Sequence, residues 1–281
     1  MTDFGIYTGM MQTTLQPIDL ARAVEERGFD SLAFGEHSHV PAGVVLPASE
    51  VSGEWFASQY DPFVALGAAA AVTTTLRLGT AVTLIPEHHP ISMAKAISTL
   101  DQISGGRTFF GIGAAWNKEV ENHGVPFAER WRVTRDTVLA MRRIWADDPA
   151  EYHGKYVDFE PIWCKPKPIQ HGGPPILMGA NSRWALRRVV DYCDGWMPYA
   201  PLSQIRSGML ELRELAERGE RSDRPIRVEP LLGEVNEPNG QTIEEACSLG
   251  VARIHLKLPH GSAADQWRAL DAIAKTIDAF K

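Results

Sequence analysis

A chain of 281 residues, 44% hydrophobic and 22% charged, has the balance of an ordinary globular protein and enough apolar material for a sizeable core. A formal net charge of −7, with no block of Lys or Arg, argues against a nucleic acid or an anionic membrane as partner and leaves a small-molecule substrate. No secretory leader and no apolar run long enough to span a bilayer is visible, and Cys164, Cys193 and Cys247 are scattered, so a cytoplasmic protein without a disulfide framework or structural zinc is expected.

Strand-like apolar runs alternate with helical spacing from end to end. Residues 4–8 read as a strand, and 16–27, with Ile18, Leu20, Ala21 and Val24 at helical intervals, as a helix closed by Gly28. A strand over 31–35 precedes a helix over 62–73 that carries Pro in its first turn. The strand over 77–85, rich in Val, Thr and Leu, leads to a helix over 91–103, and the strand over 107–112 to a helix over 129–145. The same rhythm gives strands at 175–178, 195–198, 226–232 and 251–256, each followed by a helix, at 182–192, 202–218, 242–248 and 263–280. Such alternation implies a parallel sheet, and eight units favour closure into an α/β (β/α)8 TIM barrel over an open, doubly wound sheet, with 1–281 as a single domain. Two long segments interrupt the pattern. The first, 36–61 after strand 2, lies on the catalytic face of such a barrel; the second, 146–174 before strand 5, enters from the opposite face and suits a structural hairpin.

The carboxyl ends of barrel strands face the active site. They offer Tyr7 and Thr8; Glu36, His37 and His39; Thr80, Ala81, Val82, Thr83 and His88; Gly111, Gly113, Ala114, Trp116, Asn117 and Glu119; Gly179, Ala180, Asn181 and Ser182; and Trp196. A histidine at such a mouth can hydrogen-bond a cofactor or substrate oxygen and move a proton near neutral pH, or simply cap a loop. The spacing of His37 and His39 also suits zinc, as in a metal-dependent barrel hydrolase, but matching ligands on later strands are missing apart from His255, so no metal is expected. From Met178 to Ser182 small residues turn the chain into a helix whose amides and dipole suit a phosphate; on the plainer reading Ser182 is only an N-cap. Gly111-Ile-Gly113 begins like a dinucleotide fingerprint, yet Trp116 stands at the third glycine. There is no phosphate-loop motif and no G-x-S-x-G elbow.

Five stretches carry a resemblance: RGFDSLAFGEH (27–37), TTLRLGTAVTLIPEHHP (74–90), LDQISGGRTFFGIGAAWNKEVENHGV (100–125), YHGKYVDFEP (152–161) and PPILMGANSRWALRRVVDYCDGWMP (174–198). They resemble the luciferase-like monooxygenase superfamily, and within it the coenzyme F420-dependent oxidoreductases of actinobacterial type. The resemblance implies a barrel with an insertion that binds F420 or FMN at its carboxyl mouth. It implies His37 at the ring edge, and Thr80, Ala81 and Val82 behind the ring with a non-proline cis peptide between Ala81 and Val82. It also implies Gly113, Ala114, Trp116 and Asn117 near the cofactor tail, and Gly179, Ala180, Asn181 and Ser182 at the phosphate. In related sugar-phosphate dehydrogenases a strand-4 glutamate donates the proton where this chain has Trp116. Glu119, one helical turn on, is the candidate substitute, so His37 and Glu119 are the candidate catalytic pair. The implied reaction is hydride transfer between F420 and a small organic substrate; reduced FMN with O2 would make a monooxygenase instead. A non-catalytic flavin-binding relative is a further reading, against which the eight units argue. Trp55, Phe56 and Tyr60 fit an apolar or aromatic substrate, or equally the packing of a lid. The relatives imply a homodimer through the helices after strands 2 and 3, where the small residues of 65–71 permit close packing.

Overall fold

The computed structural model describes residues 2–43, 53–114, 116–218, 225–235 and 238–280. β1 (Asp3–Thr8) leads through α1 (Pro17–Glu26) to β2 (Ser31–Phe34), and β2 through α2 (Gly53–Ala57) and α3 (Pro62–Ala70) to β3 (Arg77–Leu84). Then follow α4 (Pro90–Ser104), β4 (Thr108–Gly113), α5 (Asn117–Asn122) and α6 (Arg130–Ala146). An antiparallel hairpin, β5 (Ala150–His153) with β6 (Asp158–Ile162), comes before β7 (Ile176–Met178) and α7 (Arg183–Tyr192). The chain continues with β8 (Gly195–Trp196), α8 (Leu202–Arg218), β9 (Arg227–Val228), β10 (Leu231–Leu232), α9 (Gly240–Ser248), β11 (Arg253–Lys257) and α10 (Ala263–Ile277).

Local chemistry sets these limits. Pro17 opens α1, which buries Leu20, Ala21, Ala23 and Val24 on one stripe. The Asp61 carboxylate caps α3 by accepting from the Val64 amide at 2.9 Å, Gly105 ends α4 at φ 70°, and Ser262 with Asp265 forms a capping box on α10. β2, β4 and β7 are buried at every residue, as strands covered on both faces must be, which is why they read as unbroken apolar runs.

The main sheet is parallel throughout, in the order β10-β11-β1-β2-β3-β4-β7-β8-β9. Its two outer strands, β9 and β10, are separated in the chain only by Glu229 and Pro230, so the sheet curls until its margins meet. The strand expected over 226–232 is thus two short pieces, divided where Pro230 lacks an amide donor. Phe34, Phe110, Ile112 and Met178 point outward into the helix-covered core. On the other face Ala33, Phe109, Leu177, Met197 and Leu231 fill the inside of the curl and touch Tyr7, Ala81, Val82 and Tyr199. Within the curl lies a buried ionic group. The Arg253 guanidinium reaches Asp30 at 2.6 Å and Glu229 at 2.8 Å, and His255 meets Glu229 at 3.2 Å.

The predicted helices recur within a few residues, except that 263–280 ends in a 3-10 turn from Asp278. Two short helices, α2 and α5, were not predicted; both lie in segments read as loops. The middle of the expected excursion after strand 2, residues 44–52, lies outside the described residues. Among the described residues no helix is long and apolar enough to cross a membrane, and all three cysteines are free.

Candidate active site

The carboxyl ends of β2, β3 and β4 bring acids and histidines together. Just past β2, Glu36 is buried; one carboxylate oxygen accepts from the Leu84 amide at 2.6 Å and the other meets His88 Nε2 at 2.8 Å. Glu36 therefore ties β2 to β3, and His37 follows at the rim. His37 Nδ1 lies 2.9 and 3.2 Å from the two carboxylate oxygens of Glu119, which α5 holds fully buried. Trp116 stacks on the imidazole at 4.6 Å and 20°, and Phe56 meets it edge-on at 5.1 Å. The ring is fixed in plane and in rotation. With Glu119 ionised, Nδ1 donates to it, and any ligand must be met through Nε2.

Behind this pair the Ala81–Val82 peptide is cis, as the resemblance implies. The β3–β4 register shifts between Thr80 and Thr83, and the Thr80 hydroxyl donates to the Gly111 carbonyl at 2.9 Å. The Val82 side chain lies over glycines at the ends of β4 and β7. A Cβ on Gly113 would come within 2.7 Å of Val82 Cγ2, and one on Gly179 within 2.4 Å of Val82 Cγ1. These glycines are required by the packing of Val82, a reason invisible in the sequence.

The turn from β7 into α7 is held from inside. The Gly179 amide donates to Ile112 O at 2.8 Å and the Trp196 indole to Ala180 O at 2.9 Å. Asn181 spends its side chain on Tyr199, accepting from its amide at 3.2 Å and donating to its carbonyl at 2.5 Å, so it shapes the turn. Ser182 is the N-cap but its hydroxyl makes no capping bond; the Ala185 amide donates to the Ser182 carbonyl at 2.7 Å, and the amides of Arg183 and Trp184, with the helix dipole, suit an anion. Asn117 starts α5 at the same rim and Gly113 ends β4; Ala115 lies outside the described residues.

Sequence reasoning missed two groups. The Glu87 side chain is 1% exposed, 3.3 Å from His123 Nε2. Burial pushes its carboxyl up to about 7; Glu119 and Glu36 add to this, and the Ser38 hydroxyl and His88 oppose it. Burial pulls His88 down, but Glu36 and Glu87 outweigh it and leave that imidazole raised. The other group faces this wall from β1, β8, β10 and β11. The Tyr199 hydroxyl donates to Glu234 at 2.6 Å, and the Lys257 ammonium pairs with the same carboxylate. Burial opposes ionisation of Glu234, yet Lys257 and Tyr199 pull its carboxyl down to about 2. Burial first, then Lys257, holds His260 down to about 4, and Trp55 packs on that ring at 3.8 Å. α2 thus reaches both walls, Trp55 to His260 and Phe56 to His37. None of these contacts follows a sequence spacing, so no local motif announces them.

Among the described residues no three His, Cys, Asp or Glu side chains converge to hold a metal ion. His37 is engaged with Glu119, and His39 with Ser38 and Asn122.

An uncharacterized protein of Mycobacterium tuberculosis is 31% identical over 280 residues, 98% of each chain. An FMNH(2)-dependent dimethylsulfone monooxygenase of Pseudomonas putida is 31% identical over 132 residues, 45% of this chain and 36% of that one. The solved structure of an F420-dependent secondary alcohol dehydrogenase in complex with an F420-acetone adduct superposes with a TM-score of 0.79 at 19% identity, covering 100% of this chain and 99% of that one. Deazaflavin and flavin users thus stand side by side among its likenesses. The luciferase-like monooxygenase family matches residues 6–233, and the chain belongs to that family.

Proposed function

We propose that the chain is an oxidoreductase that passes a hydride between coenzyme F420 and a small organic substrate, with His37 and Glu119 as its proton-handling pair. The observation that carries this reading is the His37–Glu119 contact at 2.9 Å, at the carboxyl end of the sheet where β3 carries Ala81 and Val82 and β7 leads into α7. Family membership supports it, as does the likeness to an F420-dependent dehydrogenase.

The frame for this chemistry is an eight-stranded barrel, one domain, if β9 and β10 are taken as one strand broken at Pro230. The Glu229 and Leu231 amides donate to the carbonyls of Trp196 and Pro198, while Val228 and Pro230 accept from the amides of Ala252 and His255. On this frame 36–61 and 146–174 are insertions. Free thiols at Cys164, Cys193 and Cys247 suit the reducing cytoplasm.

The residues present fit such a cofactor. The apolar surface of Ala81 and Val82 suits one face of a planar ring, and the α7 amides suit its phosphate. A bound deazaflavin supplies a two-electron hydride centre that scarcely reacts with oxygen. His37 Nε2 holds or moves the proton at the substrate oxygen. Glu119 fixes the tautomer and balances the imidazolium charge when the ring is protonated. Phe56 and Trp116 prevent the ring from rotating away, and α2 with Trp55 screens the mouth from water. These aromatic surfaces favour an apolar substrate.

The FMN-dependent monooxygenase remains the second reading, favoured by the identity to the dimethylsulfone enzyme. A fluorescence titration with F420 and with FMN separates them. Saturable F420 binding tighter than FMN binding is expected; tight FMN binding without an F420 response would replace the first reading by the second.

A further inference from the structure

The arginines of α6 and α7 divide by position. Farther along the helices they are paired: Arg135 with Asp191 at 2.7 Å, Arg142 with Asp194 at 2.7 Å, Arg143 with Asp147 at 3.0 Å. Near the helix starts, which topology puts on the same rim as His37, Arg132 still pairs with Glu129 at 2.8 Å. Arg130, Arg183, Arg187 and Arg188 have no carboxylate partner among the described residues, in a chain of net charge −7.

They rest on aromatic rings instead. Arg183 and Arg187 lie over Trp184 at 4.9 and 5.2 Å, and Arg188 lies over Trp131 at 4.3 Å; Arg130 rests on Phe127 at 3.7 Å, with Trp131 farther off at 5.8 Å. A guanidinium over an aromatic face keeps its N–H groups available to a carboxylate, although Arg130 already donates one to the Phe127 carbonyl at 2.7 Å. Trp184 is 50% exposed, more than a buried brace requires. Arg188 is partly buried with Arg130 as a like-charged neighbour; burial first, then Arg130, pulls its pKa down. Like charges gathered without counter-ions are unfavourable unless an anion joins them.

The position of the cluster narrows the anion. It begins at the first turn of α7, directly after the amides proposed above for the cofactor phosphate. Trp184, the second residue of α7, stands exposed beside those amides. FMN ends at its phosphate; F420 continues into a string of glutamates. We propose that Arg130, Arg183, Arg187 and Arg188, braced by Trp131 and Trp184, form a shelf for the oligoglutamate tail of F420 and thereby select F420 over FMN. The inference rests on the F420 reading and deepens it.

The test is a set of binding isotherms by ligand fluorescence at low and high salt. The probes are F420 bearing several glutamates, F420 stripped of its glutamates, and FMN, each with wild type and with the doubly substituted Arg183→Ala/Arg187→Ala protein, whose altered positions are exposed. Wild type is expected to bind the glutamylated form about tenfold tighter than the stripped form, a preference that shrinks in salt. The double variant should lose most of that preference while its affinity for stripped F420 and for FMN stays put. Equal binding of the two F420 forms by wild type at low salt overturns the shelf and leaves the F420 reading standing, as does a preference the double variant retains. Failure of wild type to bind either F420 form overturns both.

Discussion

Glu119 is fully buried and meets His37 at 2.9 Å, so a lost partner is costly on the glutamate side. His37→Ala should lower turnover by about 10²–10⁴-fold while cofactor affinity changes little, since the amides of α7 and the Val82 face are untouched. Glu119→Gln should fall in the same direction by less, because an amide still accepts from Nδ1 but balances no charge. Steady-state kinetics beside a cofactor titration checks both; an unchanged rate in His37→Ala reduces the imidazole to scaffold. Glu87 gives a test in pH. Its carboxyl is raised from 4.5 to about 7, so the folded chain binds that proton more tightly than the unfolded chain does. The penalty for ionising it is absent below the unfolded value and grows as pH rises through the folded one. Glu87→Gln should therefore raise the melting temperature above pH 7 and leave it unchanged near pH 4.5. An equal gain at both pH values contradicts this. At this scale the sequence exposes His37, because a histidine after a strand stands out, and the resemblance supplies the Ala81–Val82 peptide. Ser38, Glu87 and His123 belong to three separate segments that meet only in the fold, and no spacing reveals that.

Glu229, Arg253 and His255 join the strand margins from within the curl, adding side-chain contacts to the backbone bonds that link β9, β10 and β11. Burial opposes the charge on Glu229, but His255, Arg253 and Arg227 prevail and hold its carboxyl well below the usual range. The stability this gives is present above the ordinary carboxylate pKa and is lost as pH falls toward the folded value. Glu229→Ala leaves Arg253, 2% exposed, with less compensation for its buried charge, and should cost about 3–5 kcal/mol in urea unfolding at neutral pH. A loss under about 1 kcal/mol would mean that Asp30 suffices for Arg253. The elements themselves were legible where both faces of a strand are buried, as in β4, or where a cap is explicit, as at Asp61. The division at Pro230 was not, because the apolar run around it reads as one strand. α2 and α5 are too short to build a helical period.

As a whole, the molecule gathers the candidate site residues on one rim of a curled parallel sheet, with apolar packing inside the curl. The alternation of strand and helix carried that architecture in plain view, since parallel strands need crossovers and these crossovers are helices. The choice between deazaflavin and flavin is carried by no single residue of the candidate site, because both rings present a similar edge and face. The central claim is that His37, Ala81–Val82 and the start of α7 surround one planar cofactor. A crystal structure of the chain with bound F420 tests it most directly. The ring is expected against Ala81 and Val82, its edge or the substrate oxygen at His37 Nε2, and the phosphate at the start of α7. A ring bound in another cavity, with His37 facing only Glu119 and solvent, would contradict it.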